Sequence, residues 1–289
     1  MLSRVLKLRS GRISVGLLSV ILLLAILGPH IAPYDPLAKS DLVFGGSSGA
    51  HWFGTDYLGR DLLSRLLAGA TISVLGSVEV AIIALVAGAV PGVLSVYLGR
   101  TFEWLSLRLI DTLIALPFLV FAVAITALLG NGIPQAMFTV GFLVAPMFYR
   151  VTRAATLSVA QSQYVEAAVL AGASVGWVVR KHVLLKVLPP MTATLANAMG
   201  TGFIVVASLT FLGIGVQPPD PSWGGVLASD LNYLAYRPWA PLYAIVPILL
   251  TVWAFNLLAD AIRDVSGASG RVLLADVARP LPKRKVGAA

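Results

Sequence analysis

The chain has 289 residues, of which 58% are hydrophobic and only 12% carry a charge. A soluble domain carries roughly 25% charged residues, so this composition excludes an ordinary soluble domain. The chain contains no cysteine, which excludes disulfides and thiolate metal sites, and its formal net charge is +8.

The hydrophobic residues are gathered into long segments, and a helix needs about 20 mostly apolar residues to cross a bilayer. The segments without any charge are residues 80–99, 112–149, 187–219 and 238–259. An earlier apolar run, residues 13–31, follows four basic residues, as the core of a signal peptide would. It is longer than such a core and no small-x-small cleavage site closes it, so we interpret it as a retained first span.

The segment 112–149 is too long for one crossing, and the turn-forming residues of "GNGIPQ" at 130–135 divide it. The sequence therefore predicts an all-α membrane protein with six transmembrane helices. The predicted spans are residues 13–32, 71–98, 109–129, 134–152, 191–215 and 239–260. The predicted divisions are an N-terminal segment 1–12, a six-span domain 13–264 and a basic tail 265–289, with an external loop at 33–70 and a cytoplasmic loop at 156–190.

Lysine and arginine are concentrated on one side of these spans, as they are in the cytoplasmic loops of membrane proteins. With the N-terminus inside, only four of the 21 basic residues lie outside: Lys39, Arg60, Arg65 and Arg237. The sequence thus predicts a multi-pass protein of the plasma (inner) membrane with both termini cytoplasmic. The positive charge is then explained by topology and not by nucleic-acid binding. The tail sequence "RPLPKRK" is suited to contact anionic lipids of the bilayer.

The internal segment "EAAVLAGASVGWVVRKHVLLKVLP", residues 166–189, is polar and basic in a hydrophobic chain. Residues 161–171 favour a helix, Gly172 is suited to end it and Ser174 to cap the next helix. The spacing of Val175, Val178, Val179 and Val183 makes one apolar stripe on that second helix. The pattern predicts two short helices joined by a tight turn, either resting at the lipid interface or docking a cytoplasmic partner.

This segment resembles the EAA motif of ATP-binding-cassette (ABC) importer permeases. The motif positions are occupied by Glu166, Ala167, Ala168, Gly172, Leu188 and Pro189. The resemblance implies the type I ABC importer permease architecture, in which this loop carries a coupling helix that lies in a groove of an ATPase subunit. It implies that Glu166 pairs with a basic group of that ATPase. The implied coupling residues are Glu166, Ala167, Ala168, Gly172, Ala173 and Ser174.

Other segments are similar to the second, C-type permease of dipeptide, oligopeptide and nickel importers. They include "HWFGTDYLGRDLLSRLLAGATISV", "RLIDTLIALPFLVFA", "SLTFLGIGVQPPDPSWGGVL" and "AFNLLADAIRD", at residues 51–74, 108–122, 208–227 and 254–264. The resemblance implies a prokaryotic ATP-driven importer, most directly for peptides. Its other parts would be a B-type permease, two cytoplasmic ATPase subunits or one fused ATPase that bind ATP and Mg, and an extracytoplasmic substrate-binding protein. No cofactor is expected in this chain.

The chain departs from that family where Leu185 and Lys186 replace the usual proline and asparagine. We therefore expect a less kinked elbow into the fifth span.

Five polar residues are candidates for the translocation pathway or for helix packing: Glu79, Arg108, Asp111, Asn256 and Asp260. Glu79, predicted one to two turns from the outer end of span two, would face a cavity or a partner helix, or extend to the outer interface. Arg108 and Asp111 are spaced to pair on one helix face. Asn256 and Asp260 would bond to a neighbouring helix or line the inner mouth of the pathway.

In the external loops, Asp56, Asp61 and Trp223 are expected to be exposed and to contact the substrate-binding protein. The alternative is that they pack the loops internally.

Catalytic residues and a metal site are not expected. The three histidines have no metal-ligand spacing, and no G-x-x-x-x-G-K-[ST] loop occurs, so ATP would have to be bound by another chain. The rival hypotheses are an ion-coupled secondary transporter, which needs its own ion site, and a structural subunit without a pathway. Within the importer class, nickel or another small solute is the alternative cargo.

Overall fold

The computed structural model describes residues 2–277, with side chains for residues 3–267. Over this part of the chain it is helical, and its one isolated β-bridge joins Thr55 to Asp61. The helices are α1 Leu2–Val5, α2 Arg9–Ile31, α3 Leu62–Tyr97, α4 Arg100–Ala115, α5 Phe118–Leu128, α6 Ile133–Ala160, α7 Gln163–Leu170, α8 Val175–Val178, α9 Leu184–Phe211, α10 Trp223–Asn232 and α11 Ala240–Val277. A π-helical turn, Val179–Val183, joins α8 to α9.

Four of the described helical segments are long and apolar enough to cross a membrane. They are Arg9–Ile31, Leu62–Tyr97, the continuous run Val175–Phe211, and Ala240–Gly267. The pair α4 and α5 makes a fifth if the two are counted together. The prediction of an all-helical, multi-spanning fold is therefore confirmed at this coarser level.

The predicted third span, residues 109–129, is not one straight helix, because α4 and α5 are bent by 101°. Leu116 between them is extended, with ψ of 140°, and precedes Pro117. The proline ring disfavours the helical region for the residue before it, so the helix ends there.

The helix that contains the predicted second span, residues 71–98, extends beyond the start of that span. Helix α3 begins at Leu62, where the Asp61 carboxylate accepts a 2.8 Å hydrogen bond from the Ser64 amide. This N-cap satisfies a backbone donor that the first turn of a helix leaves free. Residues 32–61, which we call the cap, lie between α2 and α3 and pack over one end of the bundle.

Helix α3 is the central element of the bundle and packs along α6, α9 and α2. Small residues allow the close approach: a Cβ on Gly88 would lie 2.2 Å from the Ala145 carbonyl oxygen of α6. The core between these helices contains Val80, Val140 and Phe148, all fully buried. The cap end of the bundle also holds α10, and the opposite end holds α7, α8 and the start of α4.

The predicted tail, residues 265–289, is only partly described. Helix α11 continues to Val277, so the first part of this region is helical. The sequence "RPLPKRK" lies outside the described residues.

Candidate functional site

The turn after α7 has the local structure that the sequence predicts. Gly172 has a φ of +89°, in the left-handed region that favours glycine. Its amide donates a 2.9 Å hydrogen bond to the Val169 carbonyl oxygen, which closes the end of α7. Ser174 Oγ accepts a hydrogen bond from the Trp177 amide at 3.3 Å, as expected of an N-cap. The predicted glycine stop and serine cap are both confirmed.

A cluster of buried valines fixes this segment to the rest of the bundle. It joins the end of α6, α7, α8, the π turn and α9, and consists of Val159, Val165, Val178, Val183 and Val187. The opposite side of α7 is open: Leu170 at the turn is 83% exposed. The segment 163–187, which we call the coupling segment, therefore has one face anchored and one face free.

The predicted coupling residues lie together around this turn. Glu166, Ala167, Gly172 and Ser174 are exposed, and Ala168 and Ala173 are half-buried. An ATPase contact through these residues is consistent with their placement and stays a prediction.

The predicted second short helix is wrong in its extent. From Val175 the chain is helical without a break to Phe211, so the part of the coupling segment after the turn is continuous with the fifth predicted span. Pro189 and Pro190 lie inside α9 without ending it. The expectation of a weak elbow at Leu185 and Lys186 agrees with this continuity.

An aromatic contact closes the coupling segment on itself. The His182 ring lies 5.4 Å from the ring of Tyr164 and 5.2 Å from that of Trp177. Tyr164 belongs to α7, whereas Trp177 and His182 belong to α8 and the π turn that follow Gly172. This contact therefore restrains the angle between α7 and the helix that begins at Val175.

At the other end of the bundle, the cap contains a buried charge cluster. Arg60 Nε lies 2.7 Å and Arg65 Nε 3.6 Å from the same oxygen, Asp56 Oδ2. Asp56 also accepts amide hydrogen bonds from Leu58 and Arg60 at 2.8 and 3.0 Å. One carboxylate thus organises the turn from Asp56 to Arg60.

Asp61 performs a second bridging role. One of its oxygens lies 2.9 Å from His51 Nδ1, and the other accepts hydrogen bonds from the amide and hydroxyl of Ser64. Asp61 therefore ties the cap to the first turn of α3.

The loop between α10 and α11 holds the cap from the side. Arg237 donates hydrogen bonds to the carbonyl oxygens of Thr55 and Phe53 at 2.7 and 2.6 Å. The Phe44 ring stacks on that of Tyr236 with centroids 4.8 Å apart. These contacts join the cap to the loop between α10 and α11.

Trp223, the first residue of α10, connects that helix to the rest of the bundle. Its Nε1 donates a 2.8 Å hydrogen bond to the Leu66 carbonyl oxygen, and its amide donates one of 3.1 Å to Ser73 Oγ. Its ring contacts that of Phe203 edge-on. The indole thus fastens α10 against α3 and α9.

The expectation that Asp56, Asp61 and Trp223 are exposed is wrong, since their exposures are 4%, 3% and 2%. Each is buried because it bonds to groups within this chain. Their direct contact with a substrate-binding protein remains a prediction without support from their position.

A polar cavity of about 240 Å³ lies beneath the cap. It is bounded by the cap, the first turn of α3, the loop before α10, and α10 itself, including Arg60, Arg65, Asp220 and Ser229. The Ser229 hydroxyl is buried there without a hydrogen-bond partner in the described part of the chain.

The next residue, Asp230, is a buried acid with an unpartnered oxygen and a raised pKa. Its Oδ2 has no hydrogen-bond partner among the described residues. Burial raises the pKa of Asp230 to about 7, an effect that Arg237 and Arg65 reduce and Asp56 increases. Desolvation disfavours the charged carboxylate, and the nearby arginines only partly restore it.

At the opposite end, charged residues connect α4 to its neighbours. Arg153 of α6 contacts Glu103 of α4 and donates a 2.9 Å hydrogen bond to Ser95 Oγ of α3. The predicted pairing of Arg108 with Asp111 does not form. Asp111 lies 3.4 Å from Arg150 instead, because Arg108 turns over the ring of Trp104, 5.8 Å from its centroid.

The remaining pathway candidates are exposed. Asp260 pairs with Arg263 at 3.0 Å on its own helix, and no hydrogen bond from Asn256 to a neighbouring helix is present in the described part of the chain. Glu79 lies on an outward face of α3. The prediction of cross-helix bonding for Asn256 and Asp260 is therefore not met within this chain.

Sequence reasoning missed the buried acid Asp230 and the hydrogen bonds from Arg237 to the cap. It also missed the ion pair of Arg153 with Glu103. A usable signal was present for the cap, because "TDYLGRDLLSR" concentrates four charges within eleven residues of a hydrophobic chain. No comparable local signal marks Asp230, whose burial depends on the distant cap.

The helical bundle therefore has the exposed coupling segment at one end and the folded cap at the other. Residues 81–269 match the family described as the inner membrane component of binding-protein-dependent transport systems, and the chain belongs to this family. The membership decides against an ion-coupled transporter and against a purely structural subunit.

Curated relatives extend the similarity over most of the chain. A probable D,D-dipeptide transport system permease, DdpC of Escherichia coli K12, is 36% identical over 87% of this chain and 85% of its own. The glutathione transport system permease GsiD of Escherichia coli O1:K1 is 38% identical over 85% and 82%. A putative peptide transport system permease of Brucella suis biovar 1 is 35% identical over 91% and 88%.

A solved structure shares the fold. An inward-facing form of the MetNI methionine ABC transporter superposes with a TM-score of 0.57 over 71% of this chain and 96% of the matched chain, at 20% identity. The chain is therefore a permease component of an ABC importer, with the type I permease fold, in the inner membrane.

Proposed function

We propose that this chain is one of two permease subunits of an ATP-driven peptide importer and forms half of its translocation pathway. The observation that carries the proposal is the coupling segment: an exposed, glycine-turned element anchored by buried valines at the end opposite the cap. The peptide cargo is supported by the names of the dipeptide, peptide and glutathione permeases to which the chain is similar.

In this proposal the chain crosses the membrane six times. The spans are α2, α3, the bent pair α4 and α5, α6, the run 175–211 and α11. The excess of lysine and arginine at the end opposite the cap supports cytoplasmic termini. The cap then faces the extracytoplasmic side.

ATP and Mg²⁺ are bound by two cytoplasmic ATPase subunits, or by one fused ATPase, and not by this chain. The exposed carboxylate of Glu166 pairs with a basic group of the ATPase. Movement of the coupling segment is transmitted directly into the membrane because residues 175–211 form one continuous helix. The bundle then alternates between inward and outward openings.

A substrate-binding protein delivers the peptide at the cap end, and a second, B-type permease completes the pathway. Asp56, Asp61 and Trp223 act indirectly there, since they hold the shape of the docking surface. The polar cavity beneath the cap provides a recess for a side chain of the docking partner.

The test is purification of the tagged chain from its native membranes in mild detergent. We expect a stoichiometric P-loop ATPase, recovered with the wild type and lost with Glu166→Ala. Gln161→Ala is the matched control, because Gln161 is also exposed and lies just before α7. An intact chain that recovers no ATPase, even after crosslinking, would contradict the proposal.

A further inference from the structure

One face of α3 is an uncovered stripe of aliphatic side chains with a single carboxylate in its middle. The aliphatic residues, each between 51% and 58% exposed, are Leu75, Ile82, Val86 and Val90. The carboxylate is that of Glu79, which is exposed and has no hydrogen bond or ion pair in the described part of the chain. Spacings of three and four residues place all five on one side of the helix.

The depth of Glu79 follows from the glycines that bring α6 and α9 against α3. A Cβ on Gly141 of α6 would lie 2.6 Å from Ile83 Cβ, and one on Gly202 of α9 would lie 3.0 Å from Val80 Cγ1. Glu79 is therefore level with these two glycines. They are eight and nine residues from the cap-end termini of α6 and α9, which corresponds to about 12 to 14 Å along the helices.

At about 5.4 Å per turn this depth is a little over two turns, slightly more than the predicted one to two turns, and it places Glu79 away from the ends of the bundle. A glutamate side chain reaches about 5 Å from its Cα, well short of the end of the bundle. Facing lipid at this depth is costly for an ionisable group. The carboxylate must instead face a second protein helix or water in a pathway.

The rest of the stripe favours a helix. From Leu75 to Val90 it extends for about 22 Å, most of the hydrocarbon thickness, without a second polar side chain. Water along such a face would leave all four aliphatic side chains hydrated. Packing against another helix covers them, and one polar residue within an apolar seam fixes its register.

A second copy of this chain does not suit the seam. Two copies inserted in the same direction are related by a twofold axis along the membrane normal. If this face packed against itself, the Glu79 residues of the two copies would lie at the same depth. Two carboxylates would then meet in an apolar seam, where like charges repel. A different subunit with a hydrogen-bond donor at this depth has no such conflict.

We infer that this face of α3 is the interface with the second permease subunit, and that Glu79 accepts a hydrogen bond from a basic or amide side chain of that subunit. The inference rests on the proposed function, which requires a second permease. It adds the contact face, the depth of the polar contact and the reason why the permease pair is heteromeric.

The first test is recovery of the second permease with the tagged chain, purified with the full complex. Glu79→Gln keeps an acceptor and is expected to retain recovery within twofold of the wild type. Glu79→Lys places a cation opposite the donor, and recovery should fall by about three- to twenty-fold, the range of an interhelical hydrogen bond in membranes. The amount of each variant in the membrane reports whether it still folds. Equal recovery with Glu79→Lys would overturn the inference.

The second test does not depend on altering Glu79. A photo-crosslinking amino acid at Ile82 or Val86 should give an adduct with the second permease. Because the chain has no cysteine, single cysteines at the same positions also report water access without background. Labelling by a water-soluble maleimide, an adduct between two copies of this chain, or no adduct would each overturn the inference.

The two tests also separate this inference from the proposed function. If the wild-type chain recovers its ATPase but the photo-crosslinking variants give no adduct, the importer function stands and the proposed interface is wrong. A wild-type chain that recovers no ATPase removes the importer function itself.

Discussion

Arg60 Nε lies 2.7 Å from Asp56 Oδ2, and both side chains are 4% exposed. The same oxygen lies 3.6 Å from Arg65 Nε, so one carboxylate serves two buried guanidinium groups. The segment that the sequence predicts to be an external loop is therefore a folded cap with its own ionic core.

Removing the Asp56 charge should unfold the cap. Asp56→Asn leaves Arg60 and Arg65 buried without a counter-charge, a change that typically costs about 3–5 kcal/mol. We expect a clearly lower thermal unfolding midpoint in detergent and weaker binding of the substrate-binding protein. Asp41→Asn is the control, because Asp41 is also in the cap and is exposed. Equal midpoints for the two variants would show that the ionic core does not stabilise the cap.

Asp230 predicts a specific pH dependence of stability. Its pKa rises from 3.8 to about 7 on folding, chiefly through burial. The folded state therefore holds a proton that the unfolded state has released between these values. The free energy of unfolding should fall as the pH rises from about 4 to about 7, by about 1.4 kcal/mol per unit, and level off above.

Asp230→Asn should remove this fall, and Asp220→Asn, in the exposed loop before α10, should keep it. The measurement is the unfolding midpoint of each variant over this pH range. A wild type and an Asp230→Asn variant with parallel pH profiles would refute the assignment.

The two ion pairs on α4 should differ in strength. Glu103 is 40% and Arg153 15% exposed, whereas Asp111 and Arg150 are 55% and 61% exposed. Exposed pairs contribute about 0–1 kcal/mol, so Asp111→Asn should change little. Glu103→Gln should release α4 and increase hydrogen exchange of its amides. Similar hydrogen exchange in both variants would show that the ion pair of Glu103 with Arg153 does not hold α4 in place.

The turn of the coupling segment allows a matched glycine comparison. Gly172 has a φ of +89°, where a Cβ costs about 1–2 kcal/mol, whereas Gly176 lies in α8 with open space around it. Gly172→Ala should weaken ATPase recovery, and Gly176→Ala should leave it unchanged. If both variants recover the ATPase equally, the turn geometry is not required for coupling.

Local patterns predicted the elements that local interactions determine. Gly172 and Ser174 were sufficient to place the turn, since a left-handed residue and an N-cap depend on neighbours within four positions. The apolar runs likewise predicted membrane helices, because hydrophobic length is a property of the segment alone.

What could not be predicted depends on distant partners. Trp223 looked like an exposed loop residue, yet it is buried by Leu66, Ser73 and Phe203. The break at Pro117 was present in the sequence, but a bend of 101° is fixed by how α5 packs on α6.

The central claim is that ATP hydrolysis in a partner drives peptide uptake through this chain, and the most direct measurement is uptake by the complete complex in proteoliposomes. With binding protein outside and ATP enclosed, a labelled dipeptide should accumulate in wild-type vesicles. Glu166→Ala vesicles should accumulate none, while the Gln161→Ala control matches the wild type. Accumulation without ATP, or equal uptake with Glu166→Ala, would contradict ATP-driven import coupled through this segment.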